Sequence, residues 1–196
     1  GAEMKDIVST AAGDNFALAA DVNGNVWAWG RNVRGSLGRM LSASQTMVSK
    51  TPGLVYNVTG QPTPALGGAD TGKIIKVYAY GNSAAAISER GEVYVWGDDW
   101  GYYRLGANEG ANWFLCPKKV PGVDNAVEVY LSENNMMILT ADGKVLVSGS
   151  KTDGLASQGD GVLTDAAKAD YYYAKPMYTV GEDGKPNDYQ TAVAQV

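Results

Sequence analysis

The chain has 196 residues, a net charge of −5, one cysteine and no histidine. The acidic balance argues against a nucleic-acid surface, which needs clustered Lys and Arg. Without histidine there is no Ser-His-Asp or Cys-His machinery, and the commonest transition-metal ligand is missing. The lone Cys116 allows neither an internal disulfide nor a thiolate metal site. No apolar run approaches the roughly 20 residues of a membrane helix, and the length suits one domain with a sizeable core.

In chain order, the same phrase occurs three times. The first copy runs Ile7-Val8-Ser9-Thr10-Ala11-Ala12-Gly13, then Phe16-Ala17-Leu18-Ala19, then Asn23-Gly24-Asn25-Val26-Trp27-Ala28-Trp29-Gly30. The second runs Ile75 to Gly81, then Ala84 to Ile87, then Arg90-Gly91-Glu92-Val93-Tyr94-Val95-Trp96-Gly97. The third runs Val127 to Leu131, then Met136 to Leu139, then Asp142-Gly143-Lys144-Val145-Leu146-Val147-Ser148-Gly149. Each copy holds apolar runs of about five residues rich in Val, Ile, Tyr and Trp, which reads as strands. An X-Gly pair between the second and third runs marks a hairpin turn, because glycine accepts the positive φ that a tight turn demands. Val26 to Trp29 and Val93 to Trp96 are apolar at every position, so both strands are expected to be covered on both faces. One such meander cannot bury its own faces, and the copies must stack.

The spacing is uneven. Gly24 and Gly91 are 67 residues apart, Gly91 and Gly143 only 52. The strands keep their pattern while the segment after Trp-Gly varies, so one loop per copy carries the variation.

The ordered set of motifs resembles the regulator of chromosome condensation repeat family. The first copy carries Ala12-Gly13, Asn23-Gly24, Trp29-Gly30, Asn32, Gly35-Ser36-Leu37-Gly38, Pro52 and Val55. The second carries Gly81, Gly91, Trp96-Gly97, Gly101, Leu105-Gly106 and Pro117-Lys118-Lys119-Val120. In the third, Glu133 replaces the first glycine, Ser148-Gly149 replaces Trp-Gly, and Gly154-Leu155 is what remains of the loop motif. The resemblance covers essentially the whole chain. It implies an all-β fold, a β-propeller of about three four-stranded blades, and a fragment of a larger ring. The repeats are expected at about 6–72, 73–124 and 125–190, with 191–196 opening a further copy. Gly1-Ala2-Glu3-Met4 reads as a cloning remnant, and the chain is expected to be a piece of a longer propeller.

The remaining chemistry is sparse. Cys116, beside Pro117, reads as a buried inert thiol. Lys118-Lys119 reads as a solvated loop. Asp98-Asp99 and the loop carboxylates Asp153, Asp160 and Asp165 offer a glycosidase pair or calcium ligands, against the alternative of turn chemistry. Asp21-Val22-Asn23-Gly24-Asn25 starts like a calcium loop but lacks its later glycine and glutamate. Asn57-Val58-Thr59 matches a glycosylation sequon.

Loop aromatics carry the binding expectation. Trp100, Tyr102, Tyr103, Trp113 and Phe114 follow the second Trp-Gly, and Tyr171, Tyr172 and Tyr173 sit in the long third segment. Aromatic rings on surface loops either bind something or fold back as caps. Trp27, Trp29 and Trp96, in strands, are expected in the core. The reading is a non-catalytic binding module without cofactor or metal that recognises a protein through long loops on one face. Glycan binding is the first alternative, and a regulator like the exchange factor of the named family is the second. An enzyme using loop carboxylates comes last. The long divergent loops and the eroded third copy read as an extracellular or cell-surface bacterial protein, with a cytoplasmic one left open. No nucleic acid and no membrane span are expected, and open blade flanks suggest a homodimer.

Overall fold

The computed structural model describes residues 3–40, 47–99, 104–107, 112–150 and 174–176. Its strands are β1 (Ile7–Ala12), β2 (Phe16–Asp21), β3 (Val26–Arg31), β4 (Val48–Leu54), β5 (Ile74–Tyr80), β6 (Ser83–Ser88), β7 (Val93–Asp98), β8 (Trp113–Lys119), β9 (Ala126–Leu131), β10 (Asn135–Thr140), β11 (Val145–Gly149) and β12 (Lys175–Pro176). They form three four-stranded antiparallel sheets, β1-β2-β3-β4, β5-β6-β7-β8 and β9-β10-β11-β12. The fold is all-β, three propeller blades in succession. The first strands β1, β5 and β9 neighbour one another on the central side. Among the described residues no helix is long and apolar enough to cross a membrane.

The local chemistry repeats from sheet to sheet. Asp21, Ser88 and Thr140 end the second strands at one register position, opposite Ile7, Ile74 and Ala126. Each closes the hairpin by accepting an N–H from Gly24, Gly91 or Gly143 on its own carbonyl, at 2.8 to 2.9 Å. Those glycines have φ of 90°, 72° and 78°, as the X-Gly signal requires. The Asp21 carboxylate accepts the Asn23 and Asn25 backbone N–H groups and the Trp27 indole. Burial raises its pKa, but these bonds outweigh burial and hold it below the usual carboxylate range. Its calcium-like spacing is therefore turn chemistry. So is the sequon: Asn57 is buried and its Oδ1 accepts the Thr59 and Gln61 N–H groups.

The glycine of Trp-Gly has a separate cause. Gly30, Gly97 and Gly149 have φ of 103°, 89° and 110°. A Cβ at any of them would overlap the carbonyl oxygen of Asn15, Asn82 or Asn134. Each carbonyl accepts the N–H of the residue after the glycine, at 2.7 to 3.1 Å. Replacing Gly97 by alanine is expected to cost about 1–3 kcal/mol from backbone strain alone. Urea denaturation measures it, and an unshifted midpoint would contradict this geometry.

The outer strands each contain a proline: Pro52, Pro117 and Pro176. An edge strand tolerates proline because one row of its N–H groups has no partner to lose. Each central strand instead carries a bulge. Val8, Ile75 and Val127 are skipped in the pairing with β2, β6 and β10. All three are exposed, at 54%, 45% and 38%.

The core lies in the seams between sheets. Val93, Tyr94, Val95 and Trp96 are at most 2% exposed, so β7 is covered on both faces as its all-apolar run predicts. In β3 only Val26 and Ala28 are buried, while Trp27 and Trp29 are half-buried. The expectation of a fully covered β3 is corrected here. Val26 and Ala28 face the second sheet, whereas no sheet among the described residues lies against the opposite face. Two further readings change. Trp113, Phe114 and Lys118-Lys119 belong to strand β8 and not to loops, and Lys119 pairs with Glu92 at 2.5 Å. Cys116 is buried, its thiol 3.8 Å from the Val58 carbonyl.

Candidate functional site

The loops after β3, β7 and β11 leave the sheets at one end, shared with the short β1–β2, β5–β6 and β9–β10 connections. The described residues of the first two loops make an equivalent hydrogen bond. In the first sheet the Asn32 Oδ1 accepts the Leu37 N–H at 3.1 Å. In the second the Asp99 Oδ1 accepts the Leu105 N–H at 2.9 Å. Leu37 and Leu105 are fully buried. Asn32 and Asp99 therefore hold equivalent places, two residues beyond the Trp-Gly glycine.

Each loop carries the seam to the next sheet. The Trp96 indole donates to the Ser36 carbonyl at 3.0 Å. Ser148 occupies the Trp96 position of the third sheet, opposite Met136 as Trp96 is opposite Ala84. Its hydroxyl donates to the Arg104 carbonyl at 2.5 Å. Arg104 precedes Leu105-Gly106 as Ser36 precedes Leu37-Gly38. The eroded motif thus keeps the hydrogen bond while losing the indole.

Charged groups reinforce both seams. Arg34 Nη1 donates to both Asp98 carboxylate oxygens, at 3.0 and 3.1 Å. Arg104, buried, donates to the carbonyls of Asp98 (2.8 Å), Ser132 (3.2 Å) and Glu133 (2.5 Å) and to the Ser83 hydroxyl. It joins the second sheet to the β9–β10 connection of the third. Asp99 beside it is 3% exposed. Burial pushes its carboxyl up to about 7, against the opposing pull of the Leu105 N–H and the Arg104 charge. Asp98 and Asp99 are therefore committed to structure: one to an ion pair, the other to shaping a loop. Asp153, Asp160 and Asp165 lie outside the described residues, among which no group of three or more His, Cys, Asp or Glu could hold a metal ion.

Of the expected aromatic surface, Trp113 is placed on it. It opens β8 opposite Asp98, at 38% exposure. Its neighbour Phe114 points the other way and is 3% exposed, part of the core. Strand alternation separates the two rings, so Phe114 drops out of the surface. Trp100, Tyr102, Tyr103, Tyr171, Tyr172 and Tyr173 lie outside the described residues. The sequence reading overlooked Tyr80 and Tyr130, which are 43% and 54% exposed on the central strands. Both sit in runs that read as strands, a reading that does not say which face each ring takes.

The model of the regulator of chromosome condensation (RCC1) repeat matches residues 7–36, from β1 into the loop that holds the first seam. Residues 7–36 are thus similar to one repeat of the regulator of chromosome condensation family. Protein pim1 of Schizosaccharomyces pombe is 28% identical over 171 residues, covering 80% of this chain and 30% of that protein. Guanine nucleotide exchange factor SRM1 of Saccharomyces cerevisiae is 27% identical, covering 74% of this chain and 34% of its own length. The solved structure of Prp20p from Saccharomyces cerevisiae superposes with a TM-score of 0.62 at 26% identity, over 87% of this chain and 37% of that one. The chain thus spans about a third of the length of these relatives. All three come from yeasts and give no support to an exported bacterial origin.

Proposed function

We propose that the chain is a non-catalytic protein-recognition module working through the loop-bearing end of its blades, around the seam of the first and second sheets. The supporting observation is Trp113, an indole left 38% exposed beside the Arg34–Asp98 pair. Trp and Arg are the residue types enriched where binding energy concentrates. Strand β8 fixes the indole in place, so little ordering cost remains at binding. Trp100, Tyr102 and Tyr103, which stand between Asp99 and Arg104 in the chain, extend this surface in the proposal.

The net charge of −5 favours a basic partner surface. The Prp20p structure is titled for that protein's binding to Gsp1p and histones. A protein partner of this kind is the reading we adopt. Exchange-factor-like regulation is the second reading, because SRM1 carries that name.

The test measures binding of purified histones and of Gsp1p to the full chain by calorimetry, with Trp113→Ala as the control. Binding to either is expected to weaken at least about tenfold in the variant, the loss of a hot-spot residue. The variant's melting temperature is expected to stay within about 1–2 °C, since a residue this exposed contributes little to stability. Accelerated release of fluorescent GDP from a guanine-nucleotide-binding protein would select the exchange reading. Binding on a glycan array with no protein binding would select the glycan alternative.

A further inference from the structure

The loops after β3 and β7 are tied at the same places by different chemistry. Asn32 donates its N–H to the Met47 carbonyl at 2.8 Å and accepts the Leu37 N–H on Oδ1. Asp99 donates its N–H to the Asn112 carbonyl at 2.9 Å and accepts the Leu105 N–H on Oδ1. The side chain at this position needs only to accept one N–H, which a neutral asparagine does. The residue before the leucine differs as well, Ser36 in one loop and Arg104 in the other. A neutral pair in the first repeat is thus an acid and a cation in the second, both buried. Asn112, which Asp99 holds, precedes Trp113, and Trp113 pairs opposite Asp98. The charges around Asp99 come from several elements. Arg104 lies in its own loop, Asp98 precedes it on β7, and Asp98 carries Arg34 of the loop after β3. Glu133 of the β9–β10 connection and Tyr80 of β5 act on Arg104 in turn. The chain has no histidine, the residue that ordinarily changes charge between pH 5 and 8. Burial moves the Asp99 carboxyl up to about 7, into that range.

We propose that Asp99 makes the recognition surface around Trp113 pH-sensitive: ionised, it cancels the Arg104 charge beside it and admits a basic partner; protonated, it leaves that charge uncancelled and opposes one. This rests on the recognition reading given above. The folded carboxyl holds its proton up to about pH 7, against an ordinary 3.8. A basic partner is therefore favoured above that pH and disfavoured below it. By reciprocity the bound partner favours the ionised form, so binding near neutral pH releases a proton from Asp99. The loop after β3 has no such element, because Asn32 and Ser36 do not titrate.

The experiment has two readouts on the full chain and on Asp99→Asn. The first needs no partner: NMR follows the Asp99 carboxyl carbon and the Trp113 indole N–H from pH 4 to 8, with Trp113→Phe assigning the indole. The two signals are expected to move together with a midpoint near pH 7, and the indole to stay still in Asp99→Asn. The second is calorimetry with purified histones at pH 5.5 and 7.5. Affinity is expected to rise at least about fivefold more in the wild-type chain than in Asp99→Asn, within the usual range for coupled sites. Comparison with the variant removes any titration that the histones themselves contribute. A carboxyl that titrates near an ordinary pH of about 4, or an indole that ignores it, would overturn the proposal. So would the same pH dependence of binding in both proteins; in either case histone binding itself leaves the recognition reading standing. Absence of binding to histones and to Gsp1p at every pH, with the carboxyl still titrating near 7, would refute the recognition reading and this proposal with it.

Discussion

Replacing Trp96 by alanine is expected to lower stability by about 3–5 kcal/mol, the usual loss for a large buried aromatic. For a chain of this size that corresponds to roughly 6–20 °C in melting temperature. Trp96 is fully buried, and its indole N–H is bonded to Ser36 in the first seam. The substitution leaves a cavity between two sheets and an unpaired carbonyl beside it. Serine should rescue little, although Ser148 serves at the same position in the third sheet. There the Arg104 carbonyl comes to the hydroxyl, at 2.5 Å from a side chain far shorter than an indole. At the first seam the Gly35–Gly38 loop is spaced for the indole and would have to move inward. Trp29→Ala provides the contrast. Its ring is half-buried, with no bonded acceptor among the described residues, so its loss should be clearly smaller. Thermal unfolding of both variants decides the matter: equal losses would mean that the first sheet is covered after all.

Those two tryptophans also show where sequence stops being informative. The strand pattern, the turn glycines and the stacking of copies were legible because each is a local demand: a period of two, a positive φ, a face to bury. Burial of a whole face is not local. Val26-Trp27-Ala28-Trp29 and Val93-Tyr94-Val95-Trp96 have the same pattern, and their difference lies in whether a sheet stands on the far side. Trp113 and Phe114 misled for a related reason. Two adjacent aromatics hide the alternation that sends one out and one in, and the Cys116-Pro117 that follows resembles loop more than an outer edge strand. Ser148 looked like erosion because a motif records residue type, while the seam needs a donor. Asp98-Asp99 looked like paired chemistry because the sequence cannot show that Arg34 lies across a seam from one and Leu105 above the other. Of the expected binding surface, Trp113 is the ring that the structure places at the surface.

Replacing Asp99 by asparagine is expected to stabilise the protein by about 2–4 kcal/mol at pH 8 and to have no stabilising effect near pH 4, by conversion of the carboxyl's pKa shift at 1.36 kcal/mol per unit. Asp99 is 3% exposed, and burial pushes its carboxyl up to about 7 from an ordinary 3.8. A folded pKa above the unfolded one means that the native state binds the proton more tightly. The contribution to stability is then fully present below about pH 4 and is lost as pH rises through about 7. At neutral pH and above, the native chain carries a buried carboxylate that the unfolded chain would solvate freely. Asparagine removes that charge and keeps the acceptor for the Leu105 N–H. Asn32 demonstrates the substitution within the same molecule, accepting the Leu37 N–H at 3.1 Å. Arg104 loses an attracting neighbour, but it stays bonded to the Asp98, Ser132 and Glu133 carbonyls. The wild-type chain should lose stability between about pH 4 and pH 7 relative to the variant, with the two curves parallel above that range. Urea midpoints at pH 4, 5.5, 7 and 8 measure the difference. If the variant were the less stable at pH 8, the Asp99 carboxylate would be a net stabilising partner of Arg104, and the cost of its burial would be smaller than the attraction across the loop.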